Sequence, residues 1–271
     1  MNNLDVTSLK PATTTSPADP TEGPDFVTAL ARGLTVIRAF GPDRPRMTLA
    51  DIAKRVTLPR ATVRRSLITL ETLGYVESDG RNFSLSPKVL ALGNSYLTSS
   101  PFPRTIQPML ERLSETIGES CWAAIMDDDD VLLVAGAKSN RMLSAGLRVG
   151  SRLPAFCSAF GRVMLAALPD EEIDSYLARV VPRTYTSRTV TDSATNRRHI
   201  MEARMNGYAV ADGEVELGLC SLAVPIVNVR GETVAAVNAS APSSRVRSSD
   251  MIERFLTPLR QVAEDIRPVL I

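Results

Sequence analysis

The chain has 271 residues, of which 44% are hydrophobic and 23% charged, and its 31 Lys and Arg nearly balance its 30 Asp and Glu. That length accommodates two domains with separate cores, and no apolar run approaches the ~20 residues of a membrane helix. Three widely spaced cysteines, Cys121, Cys157 and Cys220, and one histidine, His199, argue against a disulfide framework and a zinc site and for a reducing, cytoplasmic location.

The charge is unevenly distributed. Residues 26–88 carry 11 Lys and Arg against 5 Asp and Glu, a net of +6, whereas residues 89–271 carry 19 against 21. A basic small module followed by a slightly acidic large one points to a nucleic-acid partner for the first part alone.

Residues 1–25 are rich in Thr, Pro and Asp and read as a disordered tail, not a secretory signal. From Phe26, FVTALARGLTVIRAF spaces Val27, Leu30, Leu34, Ile37 and Phe40 as one helical stripe, which GPDRPR ends. Thr48 is expected to cap a short helix, LADIAKRV, with Asp51 completing a capping box and Leu49, Ile52, Ala53 and Val56 facing the core. Thr57 and Leu58 turn the chain, and Pro59 opens the next helix, PRATVRRSLITLETLG. Val63, Leu67, Leu70 and Leu73 form its apolar stripe, and Gly74 is its expected C-terminal cap. The segment YVESDGRNFSLSP alternates apolar and polar residues about Asp79-Gly80, the pattern of a hairpin. Three helices and a hairpin describe a winged helix-turn-helix over residues 26–86.

Residues 87–100 predict a linking helix that offers Leu90, Leu92 and Leu97 to a partner helix. Pro101 and Pro103 mark the start of a second unit, residues 101–271. Helices are expected over 106–118, 158–168, 170–179, 193–206 and 248–268. CWAAIM and VLLVAGA read as strands joined by the acidic run Asp127 to Asp130, a solvated turn without the spacing of a calcium loop. LSAGLRV is a further candidate strand, and SLAVPIV and TVAAVNASA flank a hairpin at Arg230-Gly231. Largely antiparallel strands with helices clustered elsewhere give an α+β sensor-like domain.

The helix that begins at Pro59 carries the chemistry of a DNA reader. A dense line of phosphates demands cations, and the major groove admits a helix. With Val63 and Leu67 turned to the core, Ala61, Arg64 and Arg65 point outward, while Arg60 and Thr62 lie at the N-terminal end that meets base edges. Arg64 or Arg65 could engage guanine bidentately, worth about 1–3 kcal/mol of discrimination. Thr48 could help the preceding helix start hold a phosphate, and Arg81, at the hairpin tip, could reach a flanking phosphate or the minor groove.

ALARGLTVIRAF, TLADIAKRVTLPRATVRRSLITLETLGYVE and NFSLSPKVLALG, followed by VGSRLPAFCSAFGRVMLAALP and NGYAVADGEVELGLCSLAVPIVNVRGETVAAVNASAP, closely resemble IclR-family bacterial transcription regulators. The resemblance runs from residue 26 to 271. The GSRLPAFCSAFGRVMLAALP and EVELGLCSLAVPI segments look most like the subgroup governing protocatechuate, 4-hydroxybenzoate and β-ketoadipate catabolism, with regulation of another small-carboxylate pathway, such as glyoxylate or acetate metabolism, as the alternative. It implies a winged helix-turn-helix, a linking helix and a GAF-like effector-binding domain, acting as dimers or tetramers on inverted-repeat operators. By motif it also implies an effector pocket of Arg152, Leu153, Ser158, Ala159 and Phe160, then Asp212, Leu219, Cys220 and Ser221, then Asn238 and Ser240. Asn238 replaces a serine of some relatives, and Ser221 stands where many carry cysteine.

The residue types suit a small organic acid. The helix start near Ser158 offers backbone amides, Ser221, Asn238 and Ser240 can donate hydrogen bonds, Arg152 could pair with a carboxylate, and Phe160 and Leu219 supply apolar walls. A thiol-dependent enzyme is the remote rival. His199 lies in a basic helix expected to be solvated, the cysteines read as small core hydrophobes, and no nucleotide-binding glycine motif occurs. No catalytic residue, cofactor or metal is expected.

Overall fold

Thr57 adopts a left-handed backbone conformation, with φ of 53°, and joins two short helices whose apolar faces then meet. The computed structural model containing this turn describes Gly23 and residues 25–41, 43–139 and 146–270; all of the expected tail but Gly23 and Asp25, and part of the candidate strand LSAGLRV, lie outside them. The chain forms two compact units that divide between Asn94 and Ser95.

In the first unit, α1 (Thr28–Arg38), α2 (Leu49–Val56) and α3 (Arg60–Thr72) pack around Val36, Ile52, Val63, Leu67 and Leu70. Thr48 caps α2 as expected: its hydroxyl accepts from the Asp51 amide, and the Asp51 carboxylate accepts from the Thr48 amide. Gly74, with φ of 77°, ends α3, and its neighbour Tyr75 donates back to the Leu70 carbonyl. The hairpin comprises β2 (Val76–Ser78) and β3 (Asn82–Leu85). It gains a third strand, β1 (Arg46–Thr48), on the far side of β3. That strand falls between the helix breaker GPDRPR and the expected cap Thr48, and three residues are too few for a strand pattern to show in the sequence.

Two expected stripes are only partly covered. Val27, Leu30 and Leu34 of the first helical run remain exposed, Leu30 at 63%, while Val36 and Ala39 take the buried places. Leu73 is also exposed. A unit this small has too little interior to cover every apolar face.

α4 (Val89–Ser99) is the linking helix; it buries no residue and crosses the division between the units. In the second unit α5 (Pro101–Ile117) starts five residues earlier than expected, because Pro101 and Pro103 occupy its first turn, where no partner for an amide is needed. A six-stranded sheet follows in the order β6-β5-β4-β9-β8-β7, with every pairing antiparallel. Its strands are β4 (Ser120–Asp127), β5 (Asp130–Ala137), β6 (Arg152–Pro154), β7 (Ala209–Asp212), β8 (Leu219–Val227) and β9 (Thr233–Pro242). The short edge strands β6 and β7 have weak periodicity and were not expected; residues 146–149 of LSAGLRV are not strand.

Side chains alternate across the sheet. Cys121, Leu222, Val237 and Ala239 face α5 and α9 (Met251–Ile266). Trp122, Ala124, Ala223 and Ala236 face α6 (Ala159–Leu165), α7 (Asp170–Arg179) and α8 (Ser193–Asn206). The α+β class and its winged helix-turn-helix are as expected from the sequence.

Candidate nucleic-acid interface and ligand cavity

On α3 the burial of Val63, Leu67 and Leu70 forces Arg60, Ala61, Arg64 and Arg65 into solvent, with Thr62 half-buried. Arg64 and Arg65 differ in surroundings. Arg65 borders an apolar cleft of about 470 Å³ between α1 and α3, formed with Leu30, Leu34 and Leu92, whereas Arg64 does not. Arg81 is exposed beyond the Asp79 turn. The Asp79 carboxylate accepts from the amides of Asn82 and Arg81, which push its carboxyl down to about 2. Thr48 stands at the start of α2, where its hydroxyl accepts from the Asp51 amide and donates to the Asp51 carboxylate at 2.7 Å.

In the second unit a cavity of about 50 Å³ lies on the sheet face that packs α6. It is lined by Leu147, Leu153, Ser158, Ala159, Phe160, Ala211, Glu214, Val215, Glu216, Leu219, Ser221, Asn238 and Ser240. Ser158 caps α6, its Oγ accepting from the Gly161 amide at 3.1 Å, which leaves its own proton to donate. Gly161 is required at that turn: a Cβ there would stand 2.1 Å from the Ala155 carbonyl oxygen. Ser240 Oγ donates to the Ser120 carbonyl at 3.4 Å, and Asn238 Oδ1 is buried with no hydrogen-bond partner.

Eight of the sequence-nominated pocket residues line this cavity: Leu153, Ser158, Ala159, Phe160, Leu219, Ser221, Asn238 and Ser240. Three others do not. Arg152 points the opposite way from Leu153, as strand alternation requires. It pairs with Asp127 and, at 3.1 Å, with Asp130, tying β6 to the β4–β5 turn. Cys220 is fully buried in the core under α5 and α9, on the reverse of the sheet from Ser221. Asp212 also faces away from the cavity; its carboxylate accepts from Cys220 Sγ at 3.1 Å and pairs with Arg188 at 2.9 Å. The acidic run at 127–130 is therefore an anchor for distant arginines and not a merely solvated turn, since Asp129 also receives Arg179 at 2.6 Å.

Glu214 and Glu216 also line the cavity although neither is among the residues nominated from the sequence. Glu214 is buried and receives both terminal nitrogens of Arg162 from α6, at 2.6 and 2.8 Å. It also borders a polar cleft lined by Arg162, Arg188, His199, Glu202 and Asp212. His199 is not the solvated residue expected. It lies on the same stripe of α8 as Asn196, Ile200 and Ala203, and its Nδ1 is buried without a partner. Burial and then the nearby Arg162 charge lower its pKa.

The three thiols are buried, and burial pushes each up to about 12, so at neutral pH they are protonated and poor nucleophiles. Among the described residues no three His, Cys, Asp or Glu side chains converge on a metal site, and no helix is long and apolar enough to cross a membrane.

The IclR helix-turn-helix domain matches residues 29–80, and the C-terminal domain of bacterial transcriptional regulator IclR matches residues 94–267. The chain is 44% identical to the Pca regulon regulatory protein of Pseudomonas putida, over 91% of this chain and 85% of that one. It is 32% identical to the p-hydroxybenzoate hydroxylase transcriptional activator of Acinetobacter baylyi, over 90% and 92% respectively. An IclR homologue from Microbacterium hydrocarbonoxydans, solved in complex with 4-hydroxybenzoate, superposes with a TM-score of 0.71 at 29% identity, covering 88% of this chain and 97% of that one. With its winged helix-turn-helix and its second unit both matched, and with a relative 44% identical over 91% of its length, this chain is a member of the IclR family of bacterial transcriptional regulators.

Proposed function

We propose that this chain regulates genes of aromatic-acid breakdown by binding an inverted-repeat operator through α3 and a small aromatic acid through the cavity beside α6. The observation that carries the reading is the cavity itself. Ser158, Ser221 and Ser240 line it together with the apolar Leu153, Phe160 and Leu219, the mixture a substituted ring with a carboxylate needs. The likeness to a Pca regulon protein and to a homologue holding 4-hydroxybenzoate supports the same ligand class.

At about 50 Å³ the cavity is smaller than the roughly 150 Å³ that admits benzene. A ring therefore enters only as the walls move, chiefly the start of α6 and the 213–219 segment. Ligand thereby favours one conformation over another, which is the requirement for control of DNA affinity. The same small volume supports a second reading, in which a two- or three-carbon acid fits without rearrangement. Calorimetry of the full chain with benzoates, β-ketoadipate and glyoxylate separates the two. Heat from the aromatic acids, with release or tightening of operator DNA, is expected; binding of glyoxylate alone would overturn the aromatic reading.

A second copy is part of the proposal. Val27, Leu30 and Leu34 of the first helical run and Leu92 of α4 leave an apolar surface inside the DNA-binding unit uncovered, and a paired reader matches a palindromic site. The site of action is the cytoplasm, where the chromosome lies. Leu34→Glu is expected to shift the sedimentation profile toward a smaller species and to weaken operator binding; an unchanged oligomer would exclude this face.

A further inference from the structure

Among the described residues no Lys or Arg lines the ligand cavity. Arg152 is turned away to Asp127 and Asp130, and Arg162 lies behind Glu214 and does not line the cavity. Among the residues lining the cavity, Glu214 and Asn238 carry acceptors. The two Glu214 carboxylate oxygens each hold one Arg162 proton, at 2.6 and 2.8 Å, and each keeps a further lone pair. Asn238, 4% exposed, contributes an Oδ1 with no partner at all. A buried acceptor without a donor is costly, so the cavity is completed by a ligand that brings donors of its own.

A carboxylate brings none, and it is repelled by Glu214. A ring hydroxyl brings one. Resting on the aromatic-acid reading above, we infer that Glu214 is the specificity-determining residue of this cavity: its carboxylate accepts the ring hydroxyl of a hydroxybenzoate, with Asn238 Oδ1 available for a second hydroxyl, while the ligand's own carboxylate turns to the serine hydroxyls. Arg162 is a positioning residue. Its planar fork fixes the carboxylate plane from behind without touching the ligand, so the acceptor stays aimed where a flexible glutamate would fold back to solvent. The buried pair thus converts a residue unsuited to an acid site into a selector for hydroxylated acids over plain ones.

The test compares ratios within one protein. The full chain is titrated calorimetrically with benzoate, 4-hydroxybenzoate and 3,4-dihydroxybenzoate, in wild type and in Glu214→Gln. Wild type is expected to favour the hydroxylated acids over benzoate by on the order of tenfold or more, the scale of a hydrogen bond to a charged group. In Glu214→Gln the preference is expected to shrink several-fold while benzoate binds as well or better, because the repulsion is gone. Loss of general fold would weaken all three ligands alike and leave the ratio unmoved. Because Glu214→Gln leaves Arg162 without its counter-charge, the double variant Arg162→Met, Glu214→Gln is measured beside it, and the same loss of preference is expected there. An undiminished preference in folded forms of both variants overturns the assignment of Glu214 and leaves the aromatic-acid reading standing. A wild type that binds no benzoate of any kind overturns both.

Discussion

Arg162 on α6 and Glu214 after β7 lie 52 residues apart in sequence and meet through two parallel hydrogen bonds of 2.6 and 2.8 Å in the interior of the ligand-binding unit. Arg162 is only 3% exposed. The pair joins the helix that starts the cavity to the segment that closes it, so anything that moves one wall is felt by the other.

Removing one member leaves a charge uncompensated in the interior, which costs far more than removing both. Glu214→Ala is expected to lower unfolding stability by about 3–5 kcal/mol in urea titration. The double variant Arg162→Met, Glu214→Leu is expected to recover most of that loss. Equal destabilisation by the single and double changes would show that packing, and not charge, makes this contact matter.

Arg64 and Arg65 sit side by side in sequence but only Arg65 borders the α1–α3 cleft. Arg64→Ala is accordingly expected to reduce operator affinity by about tenfold with melting temperature and oligomeric state unchanged. If Arg64 contacts a phosphate, the salt dependence of binding becomes shallower by about one ion; if it reads a base, discrimination at one position relaxes instead. Fluorescence anisotropy across a salt series on intact and mutated operators distinguishes these. Operator affinity equal to wild type at every salt concentration would remove Arg64 from the interface.

Gly136 faces the ring of Trp122 across the β4–β5 pair, where an added Cβ would stand 2.0 Å from the indole. Trp122 is the sole tryptophan, so its emission reports this contact alone. Gly136→Ala is expected to destabilise the unit by about 1–3 kcal/mol through overpacking and to shift the emission maximum as the indole is displaced. An unaltered spectrum with full stability would contradict the close packing of this pair.

The Asp79 carboxyl is pushed down to about 2 by the amides of Asn82 and Arg81, from 3.8 for the free side chain. A folded value below the unfolded one means the hairpin gains stability from Asp79 at pH above about 4 and loses it as pH falls toward 2. The stability gap between wild type and Asp79→Ala is therefore expected to be largest at neutral pH and to close in acid. A gap of constant size between pH 7 and pH 2 would show that the carboxylate form is not what matters at this turn.

Local signals sufficed for the reading head. Thr48 and Asp51 form a cap from neighbours three apart, Pro59 starts α3, Asp79-Gly80 turns a hairpin, and the spacing of Val63, Leu67 and Leu70 decides that Arg64 and Arg65 face outward. Each of these depends on residues within one or two turns of the chain, so sequence alone determines it. The cavity serines Ser158, Ser221 and Ser240 were reachable through motif. Strand alternation could have removed Cys220 from the same list, because it and Ser221 cannot share a face.

What only tertiary structure decided are the partners of charges. The sequence shows an arginine at 152 among the nominated pocket residues, an acidic run at 127–130 and a glutamate at 214, and nothing in their spacing says which meets which. The β4–β5 turn claims Arg152, and Arg162 claims Glu214, because strand order and helix packing bring together groups 25 and 52 residues apart. Coulomb and hydrogen-bond energies depend on distance in space, which the fold sets, whereas capping and periodicity depend on distance along the chain, which is read directly from the sequence.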